Sequence, residues 1–153
     1  MPFFYATGDK DRATTTTEGV IGRFLTVSNQ SACLIYGIYA SYLSATAGGF
    51  KVRLVNWGTA GTAGTGQTPV PRDTGAPASS TTFLTGSTIG SGTRKQHMSI
   101  GGSQVGGQGA WVAFSPDHAI TLEPNGGANG NLDILQLATT AASNLDYTIE
   151  FLE

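Results

Sequence analysis

The sequence predicts an all-β protein, an antiparallel β-sandwich of about eight strands. Short apolar runs with β-branched and aromatic residues recur along the chain, each bounded by Pro, Asp, Asn or Gly, and such runs are typical of strands. No segment keeps a helical periodicity over ten residues or more. Glycine accounts for 22 of the 153 residues, about twice its usual share of ~7%. We therefore expect strands joined by glycine-rich turns.

The first 19 residues differ in character from the rest. Phe3, Phe4 and Tyr5 form an aromatic cluster, and a polar stretch with almost nothing to bury follows them. The pattern fits an extended N-terminal arm that reaches a neighbouring subunit, and it also fits an edge strand of the chain's own domain. The first interpretation divides the chain into an arm of residues 1–19 and one sandwich domain of residues 20–153.

The strand at residues 33–43 is the most informative, and it follows a strand at residues 20–28. Side chains alternate between the two faces of a strand, so Cys33, Ile35 and Tyr39 are predicted on one face. The opposite face would carry Leu34, Tyr36, Ile38 and Tyr42. A strand with apolar side chains on both faces is expected to be covered by protein on both sides. Tyr36, Tyr39 and Tyr42 are therefore predicted at a subunit interface, with cover by the chain's own loops as the alternative.

Residues 50–57 predict a half-buried strand with Lys51 and Arg53 on a solvated face. Residues 58–80 then combine Thr-Ala-Gly steps with Pro69, Pro71 and Pro77, which exclude a continuous central strand. Loops this long are uncommon in compact domains unless they are functional or disordered. We predict a contact loop, with Arg72 and Asp73 as its only charged residues.

The remaining strands follow from the same pattern. Residues 81–89 and 94–100 predict two weaker strands, and residues 110–114, 119–123 and 132–137 predict three that are too short for helices. The last segment, residues 145–152, alternates cleanly between apolar and polar side chains. It predicts a strand with one face in the core.

Charged residues make up only 12% of the chain, where an ordinary domain has about 25%. A surface so poor in charge is unusual for a free monomer, so part of it is predicted to be covered by other protein. The eight basic residues form no stripe that would neutralise a phosphate backbone. No apolar run approaches the ~20 residues of a membrane span, and no export signal is evident. Neither nucleic acid nor a membrane is an expected partner.

No pattern of catalytic or metal-binding residues stands out. His97 and His118 are isolated from each other, and Cys33, the single cysteine, is predicted to be a small buried apolar residue. The nucleophile motifs GxSxG and SxxK are absent. The glycine runs also lack the Gly-Lys-Ser/Thr ending of a phosphate-binding loop. We expect no cofactor, no metal and no enzymatic activity.

Four sequence features carry a resemblance to a known family. They are the proline-rich stretch PVPRDTGAPASS, the Trp111 strand followed by SPDHAITLEPNGG, the strand NLDILQL and the terminal TIEFLE. Over roughly residues 20–153 the chain resembles the small cement or decoration proteins of tailed-bacteriophage heads.

The resemblance implies a homotrimeric jelly-roll sandwich like that of tumour necrosis factor. Such a trimer is made in the host cytoplasm and clamps major capsid proteins on the outer surface of the virion. It brings no catalytic residues and no defined shell contacts. From the residue pattern we predict the trimer interface at Tyr36, Tyr39 and Tyr42, and capsid contacts at Phe3, Phe4, Tyr5, Arg72 and Asp73. Deleting residues 2–17 should then leave the trimer folded and weaken its binding to the shell.

A glycan-binding jelly roll of a phage fibre or tail tip is the alternative function. Trp57 and Trp111 would be its sugar-stacking platforms, although their apolar neighbours favour core packing for both residues.

Overall fold

The computed structural model describes residues 3–12, 18–26, 32–43, 49–103, 108–124, 130–136 and 143–153. Within these ranges it contains strands and one short 3-10 turn at Pro116–His118, and no α-helix. The predicted all-β class is confirmed. The strands are β1 (Phe3–Arg12), β2 (Gly19–Leu25), β3 (Cys33–Leu43), β4 (Gly49–Thr59), β5 (Thr65–Gln67), β6 (Val70–Pro71), β7 (Thr82–Thr85), β8 (Ser91–Ser103), β9 (Gln108–Ala113), β10 (Ile120–Leu122), β11 (Asn131–Gln136) and β12 (Ser143–Leu152).

The strands form two antiparallel sheets. Sheet 1 has the order β10-β3-β12-β1-β6, with β9 paired to β3 on the same edge as β10. Sheet 2 has the order β5-β7-β2-β11-β4-β8. Strands β1, β3 and β12 therefore lie in one sheet, while β2, β4 and β11 lie in the other. This arrangement is compatible with a β-sandwich.

The core lies between the two sheets. Phe24 of sheet 2 meets Phe151 of sheet 1 edge to face, with ring centroids 5.2 Å apart. The hydroxyl of Tyr147 in sheet 1 donates a hydrogen bond of 2.8 Å to the carbonyl of Ile21 in sheet 2. Gly22 is required at this contact, because a Cβ atom there would lie 2.7 Å from the ring of Phe83 and 2.8 Å from the Tyr147 hydroxyl.

Residues 3–12 belong to the chain's own sheet. Strand β1 pairs with β12 over ten residues, from Phe3 opposite Leu152 to Arg12 opposite Ser143. Phe4 is 1% exposed and stacks on Phe151 at 5.4 Å between centroids. The predicted N-terminal arm is therefore wrong for residues 3–12, because the aromatic cluster supplies the molecule's own core. The alternative, a strand of the chain's own domain, is correct there.

Strand β3 contains a β-bulge that changes its faces. Glu150 pairs with Gly37 but the next residue, Phe151, pairs with Ile35, so Tyr36 is an extra residue in β3. Before the bulge Cys33 and Ile35 point into the core, and after it Ile38 and Ala40 do. Tyr36 and Tyr39 consequently share the outer face, whereas strict alternation had predicted opposite faces. The side chain of Tyr42 lies outside the described part of the structure.

The predicted contact loop at residues 58–80 is partly packed on its own domain. It contains β5, and its β6 pairs with Phe4 and Tyr5 of β1. A Cβ atom at Gly61 would collide with the backbone of Thr88 and Ile89. Glycine is therefore needed where this segment crosses the one that follows β7.

Other predicted features are confirmed. Val52 and Leu54 of β4 are buried and Lys51 is exposed, while Leu145, Tyr147, Ile149 and Phe151 of β12 are buried. Cys33 is fully buried, and burial raises the pKa of its thiol to about 12. Arg53 is less solvated than expected. Its Nη1 atom forms an ion pair with Oε1 of Glu18 at 2.7 Å, and each of the two side chains is only 25% exposed.

Candidate functional site

The outer face of sheet 1 carries a group of aromatic and aliphatic side chains that we call the aromatic face. Its members are Phe3, Tyr5, Leu34, Tyr36, Tyr39 and Leu152. Tyr39 is 45% exposed and the others are half-buried. The rings of Phe3 and Tyr36 meet edge to face with centroids 5.6 Å apart. Rows of paired residues across β1, β12 and β3 bring these side chains together, since Phe3 pairs with Leu152 and Leu152 pairs with Leu34.

Strand pairing and the β3 bulge together create this face. On β1, Phe4 and Ala6 fill the core, so Phe3 and Tyr5 must point outward. On β3, the extra residue at the bulge keeps Tyr36 and Tyr39 on the same side of the sheet. Without the bulge the two tyrosines would lie on opposite faces. Large apolar side chains grouped on the outside of a sheet make this face a candidate interaction surface.

An ion pair borders the aromatic face. Arg72 is 63% exposed, and its Nη1 atom lies 3.5 Å from Oε1 of Glu150. The backbone N–H of Arg72 donates a 2.8 Å hydrogen bond to the carbonyl of Phe3, which holds the arginine at the edge of β1. An exposed pair at this distance contributes little to stability. A shallow depression lies beside it, lined by Tyr5, Gly37, Tyr39, Arg72, Thr148 and Glu150.

The structure joins residues that the sequence assigned to two different sites. Tyr36 and Tyr39 were predicted to contact other subunits, and Phe3 and Tyr5 were predicted to contact the capsid, yet all four lie on the aromatic face. Phe4 is buried in the core, so its predicted role as a capsid contact is wrong.

Asp73 is exposed in a turn next to Arg72. Its carboxylate accepts a 2.9 Å hydrogen bond from the N–H of Gly75, and its carbonyl accepts one of 2.9 Å from the N–H of Ala76. These two bonds fix a compact turn at the border of the aromatic face. Asp73 is therefore accessible to a partner, as a contact residue must be.

The chain itself covers the outer face of sheet 2 where β2 and β11 pair, whereas most of the described side chains of β8 are exposed. Arg23 and Asp133 pair across β2 and β11 with side chains only 1% and 0% exposed, and two hydrogen bonds of 2.5 and 2.7 Å join them. Arg23 also donates to the carbonyls of Gly61 and Thr88 at 2.8 and 2.7 Å. It thereby ties down the two segments that cross above sheet 2. Burial raises the pKa of Asp133, while the adjacent guanidinium of Arg23 opposes that rise.

Sequence reasoning missed this buried pair. Each residue is the single charge within an apolar strand, in VIGRFL and in NLDILQL. Opposite charges that each interrupt an apolar run are the signal that would have suggested a buried partner.

Trp57 is not available as a flat platform for a sugar. Its ring packs with the buried cluster of Val20, Val55 and Leu135, and the guanidinium of Arg94 lies 5.4 Å from the ring centroid. The side chain of Trp111 lies outside the described residues. The glycan-binding alternative therefore gains no support from Trp57.

The described residues contain no group of three or more His, Cys, Asp or Glu side chains that could hold a metal ion. His118 shares a 2.7 Å hydrogen bond with Ser115 in the turn before β10. Partial burial, together with the charge of Lys95, lowers the pKa of His97, whose Nε2 contacts Oδ1 of Asn56. Within the same ranges, no helix has the length and apolar character needed to cross a membrane.

No protein-family model and no curated protein matches this chain. The choice of the aromatic face as the candidate site therefore depends on the geometry and chemistry of its own residues.

Proposed function

We propose that the protein is a decoration protein of a tailed-bacteriophage head, which assembles as a homotrimer and binds the outer surface of the capsid. The aromatic face carries this proposal. The chain itself buries only about half of the aromatic side chains next to Tyr39, which are Phe3, Tyr5 and Tyr36. A second copy of the chain would complete their cover. Aromatic residues are enriched at the centres of protein interfaces, where their rings bury large areas.

The contrast between the two sheets supports the proposal. The chain's own crossing segments and Arg23 cover the part of the outer face of sheet 2 that β2 and β11 form. No comparable cover lies over the aromatic face among the described residues. This difference supports a partner on the aromatic face in the proposed assembly.

The strand order supports a jelly roll as the form of the sandwich. Strands β1, β12 and β3 are neighbours in sheet 1, and β2, β11 and β4 are neighbours in sheet 2. Successive strands from β1 to β4 alternate between the sheets, and so do β11 and β12. Double-sheet jelly rolls are built in this way, and their use in virus shells fits a structural role in a virion.

In the proposed assembly the aromatic face packs one subunit against the next. Phe3 and Tyr5 join Tyr36 and Tyr39 in this contact, which revises their assignment from the capsid to the trimer. The exposed turn at Arg72 and Asp73 borders the same face and is the proposed contact with the major capsid protein. Several such contacts made at once raise the effective concentration, so each can be modest in area.

Replacing Tyr39 with glutamate is expected to break the trimer and leave the subunit folded. A charge placed at the most exposed member of the face cannot be buried without a partner, and loss of an aromatic residue central to an interface weakens association by about 2 kcal/mol or more. Light scattering after size-exclusion chromatography measures the mass, and circular dichroism reports the fold.

Ile89→Glu is the matched control. Ile89 is 39% exposed, close to the 45% of Tyr39, but lies in the segment that crosses sheet 2. This variant should keep the mass of the trimer. A monomeric wild-type protein, or a trimer that tolerates Tyr39→Glu, would contradict the proposed assembly.

Binding to the capsid is tested separately by sedimenting the protein with undecorated phage heads. The wild-type trimer should sediment with the heads, and Asp73→Lys should bind at least tenfold more weakly while keeping the trimer mass. A specific signal on a glycan array, combined with no binding to heads, would favour the glycan-binding alternative instead.

A further inference from the structure

Glu153 follows β12, and its side chain binds residues 79–81, which are distant from it in sequence. Its carboxylate accepts hydrogen bonds from the hydroxyls of Ser79 and Ser80, at 3.0 and 2.8 Å, and from the N–H of Thr81, at 2.9 Å. The N–H of Ser80 also donates to it. Four donors from three consecutive residues thus converge on one carboxylate. Hydrogen bonds to an ionised group are about twice as strong as neutral ones.

These donors belong to the connector, which we define as residues 72–81, between β6 of sheet 1 and β7 of sheet 2. Because β12 lies in sheet 1, Glu153 joins that sheet to the point where the chain enters sheet 2. The connector begins at Arg72 and Asp73. Its attachment at Glu153 therefore fixes one end of the segment that carries this exposed turn.

Cys33 lies beneath the attachment point. Its thiol is fully buried and is hydrogen-bonded by Thr81, which is itself only 3% exposed. A reagent can reach this thiol only if the structure opens around it. The cysteine is therefore a built-in probe for movement of the connector near residue 81.

We propose that Glu153 is an acid-released latch, which holds the connector in place while its carboxylate is ionised and frees it when the carboxylate is protonated. A protonated carboxyl group carries an O–H donor and no charge, so it no longer accepts all four hydrogen bonds. The backbone N–H groups of Ser80 and Thr81 then lack their partner. Release of the connector uncovers Cys33 without unfolding the sandwich.

The direction of the pH effect follows from the surroundings of Glu153. Burial acts to raise the pKa of its carboxyl, but the hydrogen bonds from Ser80 and Thr81 outweigh burial and lower the pKa below its ordinary value of 4.5. A carboxyl group whose pKa is lower in the folded state than in the unfolded state stabilises the fold at any pH above its unfolded-state pKa. This stabilisation is lost as the pH falls through the folded-state pKa. Among the described residues, Cys33 is the titratable group that interacts with Glu153, and with a pKa of about 12 it stays neutral throughout.

The rate at which 4,4′-dithiodipyridine labels Cys33 tests the latch, since this reagent also reacts with thiols in acid. Rates measured from pH 7 to pH 3 are divided by those of the urea-unfolded protein at each pH. The wild-type rate should rise at least tenfold as the pH falls below 4.5. Glu153→Gln should label about tenfold faster than the wild type at pH 7 and show little further rise in acid.

Asp146→Asn is the matched control, because Asp146 is an exposed acidic residue on β12 that is not part of the latch. It should label like the wild type at every pH. Low concentrations of urea distinguish release of the connector from global unfolding, because a local opening depends less steeply on urea. Equal rates for the wild type and Glu153→Gln at pH 7 would overturn the proposal, and so would labelling with the urea dependence of global unfolding.

Discussion

Replacing Asp133 with alanine should lower the free energy of unfolding by about 3–5 kcal/mol, because it leaves the guanidinium of Arg23 buried without its counter-charge. Both side chains are almost fully inaccessible, and two hydrogen bonds join them. Arg23 also holds Gly61 and Thr88, so the segments above sheet 2 should loosen with it. Urea denaturation followed by tryptophan fluorescence measures the loss.

The double variant Arg23→Met with Asp133→Leu separates the cost of an unpaired charge from the value of the pair. Apolar replacement of a whole buried pair is often neutral or stabilising. Here the hydrogen bonds to Gly61 and Thr88 are lost as well, so the double variant should recover most, but not all, of the stability lost in Asp133→Ala. A double variant less stable than the single one would show that the cost does not come from an unpaired charge.

Phe4→Ala should destabilise the fold by about 3–5 kcal/mol, the usual cost of removing a buried aromatic ring. Phe4 is 1% exposed and stacks on Phe151, so its loss leaves a cavity between the sheets. Deletion of residues 2–17 should be more severe, since it removes all of β1 and its ten paired positions along β12. This reverses the expectation for a detachable arm. Thermal unfolding followed by circular dichroism measures both effects.

Thr7→Ala is the control on the same strand. Thr7 is exposed, and substitution at such a position usually changes stability by no more than about 0.5 kcal/mol. If Phe4→Ala proved as mild as Thr7→Ala, residues 3–12 would not contribute to the core as the structure indicates.

Much of the fold could be predicted from the sequence because period-two alternation is a local property. The alternation in residues 145–152 correctly placed Tyr147 and Phe151 in the core. The local pattern was not sufficient to assign Phe3, Phe4 and Tyr5, because an aromatic cluster has the same sequence pattern whether it packs on its own domain or on a neighbouring subunit. Only the pairing of β1 with β12 decides between these cases.

The candidate site was less predictable than the fold. The sequence pattern singled out Tyr36 and Tyr39 but placed them on opposite faces, because their common face depends on an extra residue that alternation does not reveal. The joining of Phe3 with Tyr36 depends on β12 lying between β1 and β3, a long-range arrangement. Arg23 and Asp133 were within reach of sequence reasoning, since each interrupts an apolar strand.

The bulge at Tyr36 makes the length of β3 as important as its composition. Deleting Tyr36 would remove the extra residue and restore strict alternation, with Cys33, Ile35, Ile38 and Ala40 still pointing into the core. The aromatic face would lose the ring that meets Phe3. The extra residue therefore determines which rings share the outer face and not which side chains form the core, so a change of one residue in chain length would alter the aromatic face and leave the sandwich intact.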